Sequence, residues 1–542
     1  MILTVGLIAL SVATLPAFAE YQSPLTSHDD DAQWTTFHGP IQRVAVIGAG
    51  PAGLQAAAHL LASNFSVRLF ERAPAPGGNW FYTEAVPVRE PYPDESAGSW
   101  PAPPRLPATN YYSEGDDELS LDERWREHWR PRPMWEDLST KAPATHMALP
   151  GVQYPADTPW SVPVHDVQRH VRAYASMHGL NTNDSPRNTS APAVTSYATR
   201  VEHLEKSNTT STWWLTLRRL HLLAEPSRIR EDFWQEEFDA VVVATGLYCA
   251  PHVPDIAGIE DWSKAKRGGR WSVNHAQVFR RPEGFAGKTV LIVGASVSAT
   301  DIARRISPFV KRLVVSTRPN PLRDALGLDI LLRWPSNAEI VPEIAAFEPL
   351  GRFDEGISAG RIRLVNGTLL DGIDEILLAT GYKRSIFADR ADPATMRNLH
   401  WTGHYIDDPT LAYTTAAIPW THGRYQSAGF TRVWARTARL PSRTRMWADN
   451  VAKKYQFGGP LSVFGLEALA RLYVAWLNSE ALELGGAFIE PMPVENREVN
   501  AYFLNAHRKK DGLTHENYTR FDGLPASDWL NGGVLRGAEN VW

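Results

Sequence analysis

Four short runs of apolar residues punctuate the chain: Val44 to Ile47, Val67 to Phe70, Val241 to Val243 and Val290 to Val293. Apart from Val67 to Phe70, which Arg68 interrupts, each is continuous rather than alternating, the pattern of a strand covered on both faces in a parallel sheet. Leu313 to Val315 and Ile376 to Leu378 have the same character. Between such runs, apolar residues recur at helical spacing, as at Val164, Val167, Val171 and Tyr174, and again at Leu466, Leu469, Ala470, Tyr473 and Leu477. Trp213 to Leu223 alternates instead, predicting a strand with one wet face. Strand and helix patterns thus interleave, which predicts an α/β protein built from βαβ units.

Two of the apolar runs open onto glycine-bearing turns. After Val44–Ile47 come Gly48, Gly50 and Gly53, in the G-x-G-x-x-G spacing, with Pro51 at the expected first helical position. The first glycine allows a tight turn, the second lets backbone approach a pyrophosphate, and the third lets the helix pack on the strand. The helix N-terminus offers free N–H groups and partial positive charge to phosphate. The next strand ends in Glu71, about 20 residues on, where an acid meets ribose hydroxyls. The second unit reads VLIVGASVSATDIARRI. Gly294 keeps the tight turn, Ser296 stands at the second glycine position and Ala299 at the third. A serine Cβ is expected to crowd the pyrophosphate somewhat. The following strand ends in Ser316-Thr317-Arg318, with no acid; an arginine there attracts a 2′-phosphate and favours NADPH over NADH. Both units are followed by a strand running into Ala-Thr-Gly, at Ala244–Gly246 and Ala379–Gly381. These residues predict two dinucleotide sites on one chain, FAD at the acid and NADPH at the arginine, and hence hydride transfer between them.

Composition narrows this picture. The 542 residues suffice for two or three domains, and 43% hydrophobic with 21% charged is ordinary for a globular protein. A net charge of −5 gives no basic footprint for nucleic acid. The single cysteine, Cys249, excludes an intrachain disulfide, a dithiol redox centre and a cysteine-rich metal site; it reads as a small buried hydrophobe. Met1 to Ala19 reads as a secretory signal peptide with an Ala17-Phe18-Ala19 cleavage site, in preference to a membrane anchor. Sequons at Asn64, Asn183, Asn188, Asn208, Asn366 and Asn517 accord with secretion and glycosylation, and no stable membrane span is expected. Val86 to Glu136, acidic from Glu114 to Glu127, reads as a long surface insertion, either part of a lid or a solvated loop.

Five stretches resemble the flavin-containing monooxygenase family. FERAPAPGGNWFY (Phe70–Tyr82) is similar to its FAD segment, ATGLYCAPHVPDIAGIEDW (Ala244–Trp262) to its central linker, and HAQVFRRPEGFAGKTVLIVGASVSATDI (His275–Ile302) to its signature and NADPH loop; LLATGY (Leu377–Tyr382) and LPS-x-x-x-M (Leu440–Met446) also fit. The resemblance implies two Rossmann-like domains, the NADPH domain inserted in a discontinuous FAD domain. The expected boundaries are 40–255 and 379–542 for FAD, with the C-terminal region, and 256–378 for NADPH. It implies that Gly48, Gly50, Gly53, Glu71, Gly78 and Trp80 hold FAD, with Gln426 approaching the flavin, and that Gly294, Ser296, Ser298 and Arg318 hold NADPH. It further implies that the reduced flavin takes up O2 as a C4a-hydroperoxide, shielded by NADP⁺, which oxygenates a nitrogen or sulfur of a small molecule. Two departures bear on the chemistry. Gly269 and Trp271 replace the signature's Phe and Gly ahead of His275, whose role is structural or functional. A Thr-Asn pair near the flavin is here Thr140-Lys141, which implies a changed hydrogen bond or altered oxygen chemistry. A Baeyer–Villiger monooxygenase carries Trp where Phe279 stands. An NADPH oxidase and a catalytically lapsed flavin-binding protein complete the alternatives, and oligomeric state is open.

Overall fold

The computed structural model describes residues 33–88, 103, 105–159, 161–181, 183, 194–224, 227–246, 248, 250–318, 334–351, 355–383, 398–414, 419–452 and 463–491. Met1–Ala19, Cys249, the Asn188 and Asn517 sequons and the stretch from Asn496 lie outside these residues.

The predicted apolar runs form the centres of two parallel sheets. In the first, Arg43–Ile47 lies between Ser66–Glu71 and Ala240–Val243, in parallel register with both. Leu411–Tyr413 continues the sheet beyond Ala240–Val243, and Thr195–Tyr197 closes it beyond Ser66–Glu71. Val44, Ala45, Val46 and Val241 are wholly buried because helices and a second sheet cover both faces. In the second parallel sheet Thr289–Val293 is central, flanked by Arg312–Ser316 and Glu375–Leu378, with Ala338–Val341 and Val273–His275 at the edges. The chain thus leaves the first sheet after Val243, builds the second, and returns at Leu399–Tyr413. The outgoing and returning segments pair with each other, Ala250–Pro251 antiparallel to Tyr382–Lys383.

Pro51–Ala62 follows the first strand and presses against Pro419–Trp434, a helix the hydrophobic pattern alone does not reveal. Gly423 lets the two helices approach: a Cβ there would stand 3.4 Å from the Ala52 Cα. The segment after Pro163 behaves as expected, since the helix Val164–Met177 buries Val164, Val167, Val171 and Tyr174. Val463–Leu484 likewise buries Leu469, Ala470, Tyr473 and Leu477.

One expectation needs correction. Glu114–Glu127 is not a solvated loop: it contains most of the helix Leu121–Trp129, closed by a capping box in which Ser120 and Glu123 satisfy each other's backbone N–H. Just before it, Ala108–Tyr112 adds an edge strand to a four-stranded antiparallel sheet of Arg228–Phe238, Trp213–Leu223 and Thr199–Lys206. Glu127, read as one of a run of surface acids, pairs with Arg200 and with the fully buried Arg218. Arg228–Phe238 was also hidden, because its charges pair across the sheet instead of marking a loop. Among the described residues, no helix is long and apolar enough to cross a membrane.

Candidate dinucleotide-binding sites

The first cradle forms where three backbone segments meet without side chains between them. Gly48 has φ +108°, and a Cβ there would lie 2.6 Å from the Ala244 carbonyl oxygen. A Cβ on Gly53 would fall 1.9 Å from the Gly48 oxygen, and one on Gly78 2.6 Å from the Gly50 Cα. The Ala-Thr-Gly step therefore crosses directly over the glycine turn. Gly50 is the N-cap of Pro51–Ala62, with no side chain capping it and no acid in the first turn. Its amides and the positive end of the helix dipole are left to an anion. Such a bare, side-chain-free cradle at a helix N-terminus fits a pyrophosphate.

Glu71 does more than the sequence implies. Its buried carboxylate accepts from the Ala49 N–H at 2.8 Å, the Ala73 N–H at 2.8 Å and the Arg132 Nη2 at 3.0 Å. It thus braces the glycine turn from beneath, and any ribose contact adds to that role. Arg132 was missed because it lies 61 residues away on a Pro-rich segment with no periodic signal. Trp80 sits in a 3-10 turn beside Gly78, edge-on to Trp420 at 6.2 Å between ring centres, and packs against the apolar cores of both sheets.

The second cradle repeats the first. Gly294 has φ +116°, and its Cβ would lie 2.5 Å from the Ala379 oxygen, matching Gly48 against Ala244. Ser296 caps Val297–Ile306 in extended backbone, φ −107° and ψ −175°, with no side-chain cap. An L residue adopts that conformation freely, and the side chain is exposed, so the expected crowding carries no backbone strain. Ser298 is half-buried in the first turn, and Ala299 is wholly buried where the helix meets the sheet. Arg318 is exposed two residues beyond Arg312–Ser316. These residues fit a second dinucleotide.

The structure gives three predicted site residues definite protein partners. His275, at the end of Val273–His275, is buried with both ring nitrogens engaged. Nδ1 accepts from the Gln277 N–H at 3.2 Å, so the proton sits on Nε2, which donates to the Gly381 carbonyl at 2.9 Å. Burial lowers its pKa from 6.5 to about 4, against a smaller opposite effect of the Gly381 bond. It is a neutral strut holding the second Ala-Thr-Gly step, not a proton-transfer group at neutral pH. Lys141 is bound to the second dinucleotide helix: its Nζ lies 2.9 Å from Asp301 Oδ1. Gln426 is buried in Pro419–Trp434 with its Nε2 turned to Thr402, at 3.3 Å from the hydroxyl and 3.4 Å from the carbonyl. No described contact joins it to the glycine turn.

Two glycine cradles on two parallel sheets, one inserted in the other, define a flavoprotein oxidoreductase with FAD and NADPH as cofactors. Consistently, the family model for pyridine nucleotide-disulphide oxidoreductases matches residues 42–330. With one cysteine the chain shares that family's architecture without its dithiol. The narrower assignment follows from the relatives. The chain is 33% identical over 505 residues to flavin-containing monooxygenase iboF of Amanita muscaria, covering 85% of this chain and 92% of the relative. It is 28% identical over 389 residues to trimethylamine monooxygenase of Methylocella silvestris, covering 68% of each. The S-allyl-L-cysteine S-oxygenase structure from Allium sativum shares the fold, with a TM-score of 0.58 at 19% identity, covering 91% of this chain and 99% of that one. The protein belongs to the flavin-containing monooxygenase family and is an oxidoreductase.

Proposed function

We propose that this enzyme uses NADPH and O2 to oxygenate a nitrogen or sulfur atom of a small molecule. The observation that carries the reading is the duplication of one cradle, Gly48 against Ala244 and Gly294 against Ala379, on two sheets, with an apolar cluster joining the second sheet to helical and loop segments of the first unit. Trp135, Leu138 and Val164 from the first unit pack there with Phe279, Val290 and Ile302 from the second. Two relatives whose names specify amine or sulfur chemistry support the choice of target atom.

When bound, the flavin supplies hydride acceptance from NADPH and activation of O2. The chain's own residues bind, orient and seal. Gly48, Gly50, Gly53 and Gly78 admit the FAD pyrophosphate, with Glu71 fixing their turn. Gly294 and the amides after Ser296 admit that of NADPH, and Arg318 recognises its 2′-phosphate. Trp80 and its apolar neighbours exclude water from the join, which limits wasteful loss of activated oxygen.

Three observations favour this reading over the alternatives. An oxidase reading rests on Lys141, whose ammonium Asp301 holds. Against a lapsed protein, the extended backbone at Ser296 places no strain on the second cradle. Phe279, where Baeyer–Villiger enzymes carry Trp, is buried against Trp135.

The test is oxygen accounting. The NADPH-reduced protein is mixed with ¹⁸O2 and a panel of tertiary amines and thioethers. One ¹⁸O in an N- or S-oxide per NADPH is the expected result. Peroxide equal to NADPH across the whole panel would overturn the reading.

A further inference from the structure

Asp301 is an acid buried on the apolar side of Val297–Ile306, one turn beyond the N-terminus that forms the second cradle. Its partners come largely from outside its own domain. Trp135 Nε1 donates to Oδ2 at 3.1 Å and Lys141 Nζ to Oδ1 at 2.9 Å, while Arg305, one turn along the same helix, reaches Oδ2 at 3.1 Å. Arg305 in turn donates through Nη2 to the Asp137 carbonyl and lies 3.4 Å from the Asp137 carboxylate. Three residues of one seven-residue stretch therefore grip two residues of the helix. Burial alone would raise the Asp301 pKa, but Lys141 and Arg305 outweigh it and keep the carboxylate charged.

The gripping stretch is itself anchored to the first cradle. Ser139–Pro143 pairs with Ser161–Pro163, which leads directly into Val164–Met177. That helix touches both Pro51–Ala62 and the Gly78–Trp80 turn. A continuous path of packed elements thus joins the FAD cradle to the NADPH helix, and Lys141 to Asp301 is its last charged link.

We infer that Lys141, acting through Asp301, is a positioning residue for the NADPH-to-FAD step, setting where the second dinucleotide helix stands against the first cradle. Hydride transfer is steep in donor–acceptor geometry, so a small shift of that helix slows it. The Trp135, Leu138 and Phe279 packing keeps the domains joined without the link, so its loss alters geometry rather than folding. The inference rests on the enzyme using both cofactors, and not on which atom it oxygenates.

The experiment uses holoenzyme variants Lys141→Met, Lys141→Arg, Asp301→Asn and the Lys141→Met/Asp301→Asn pair. Anaerobic flavin reduction by NADPH is followed by stopped-flow, which requires neither O2 nor substrate. NADP⁺ affinity and amide exchange in residues 135–141 and 297–306 are measured alongside. A charged, partly buried hydrogen bond predicts about a tenfold slower reduction, or about 1.4 kcal/mol, in Lys141→Met. Faster amide exchange in both segments is expected, with FAD content unchanged. Asp301→Asn should match it, the double variant should be no worse than either single, and Lys141→Arg should recover most of the rate. Additive losses, or a full rate in Asp301→Asn with a low one in Lys141→Met, would overturn the inference by showing that Lys141 acts on a cofactor directly. Unchanged reduction and exchange in Lys141→Met would overturn it too. Failure of the oxygenation test leaves flavin reduction by NADPH intact, so the two outcomes are separable.

Discussion

Replacing Glu71 by Gln removes a charge and one acceptor from a group with three donors aimed at it. The Ala49 and Ala73 amides occupy different oxygens, each at 2.8 Å, so whichever way the new amide turns, its NH2 faces a backbone N–H. The smaller loss puts the NH2 at one amide and leaves that buried donor unsatisfied, at a cost of about 1–3 kcal/mol. The substitution also takes away the negative charge facing Arg132, whose side chain is only 7% exposed beside a Glu71 that is 3% exposed. Breaking a pair buried to that degree costs about 3–5 kcal/mol in all. Because Ala49 lies between Gly48 and Gly50, the damage falls on the FAD cradle. The assay is FAD content per chain, from flavin against protein absorbance, with the melting temperature at saturating FAD. Glu71→Gln should purify largely without flavin and melt several degrees lower. Glu71→Gln/Arg132→Met should regain part of the stability but not the cradle. A variant with full FAD and a melting point within about 1 °C of the parent would refute the bracing role.

Further predictions test the other parts of the site. Gly294→Ala sets a Cβ 2.5 Å from a backbone carbonyl at φ +116°, so NADP⁺ binding should be lost while FAD stays bound; loss of both would mean that the two cradles are not independent. Arg318→Ala should raise KM for NADPH at least about tenfold more than for NADH, as expected for loss of a charge-assisted phosphate bond. Equal rises would exclude the 2′-phosphate contact. His275 is neutral when folded, with its pKa lowered from 6.5 to about 4. The unfolded chain therefore binds the extra proton first. The stabilisation is complete above pH 6.5 and is lost as pH falls toward 4, by up to about 3 kcal/mol. His275→Asn should flatten the fall in melting temperature across that window, and an unchanged slope would contradict a buried neutral imidazole.

Much of this enzyme was legible in its sequence, because the features concerned are set by local backbone requirements. Continuous apolar runs mark strands covered on both faces, and Gly48, Gly53 and Gly294 stand where any Cβ would strike a carbonyl oxygen. The Ala-Thr-Gly steps recur because a second strand must pass over each of those turns. What stayed hidden depends on residues far apart in the chain. The strand Arg228–Phe238 carries no apolar pattern along the chain, and its Glu231 finds Arg218 only across the sheet. Lys141, singled out as a departure near a flavin, finds Asp301 160 residues away, and only the insertion of one domain in the other brings them together. The same holds for Glu71 and Arg132, and for His275 and the Gly381 carbonyl. Spacing along the chain specifies where side chains must be absent, but the partners of a charged or titratable side chain depend on which strands the topology makes neighbours.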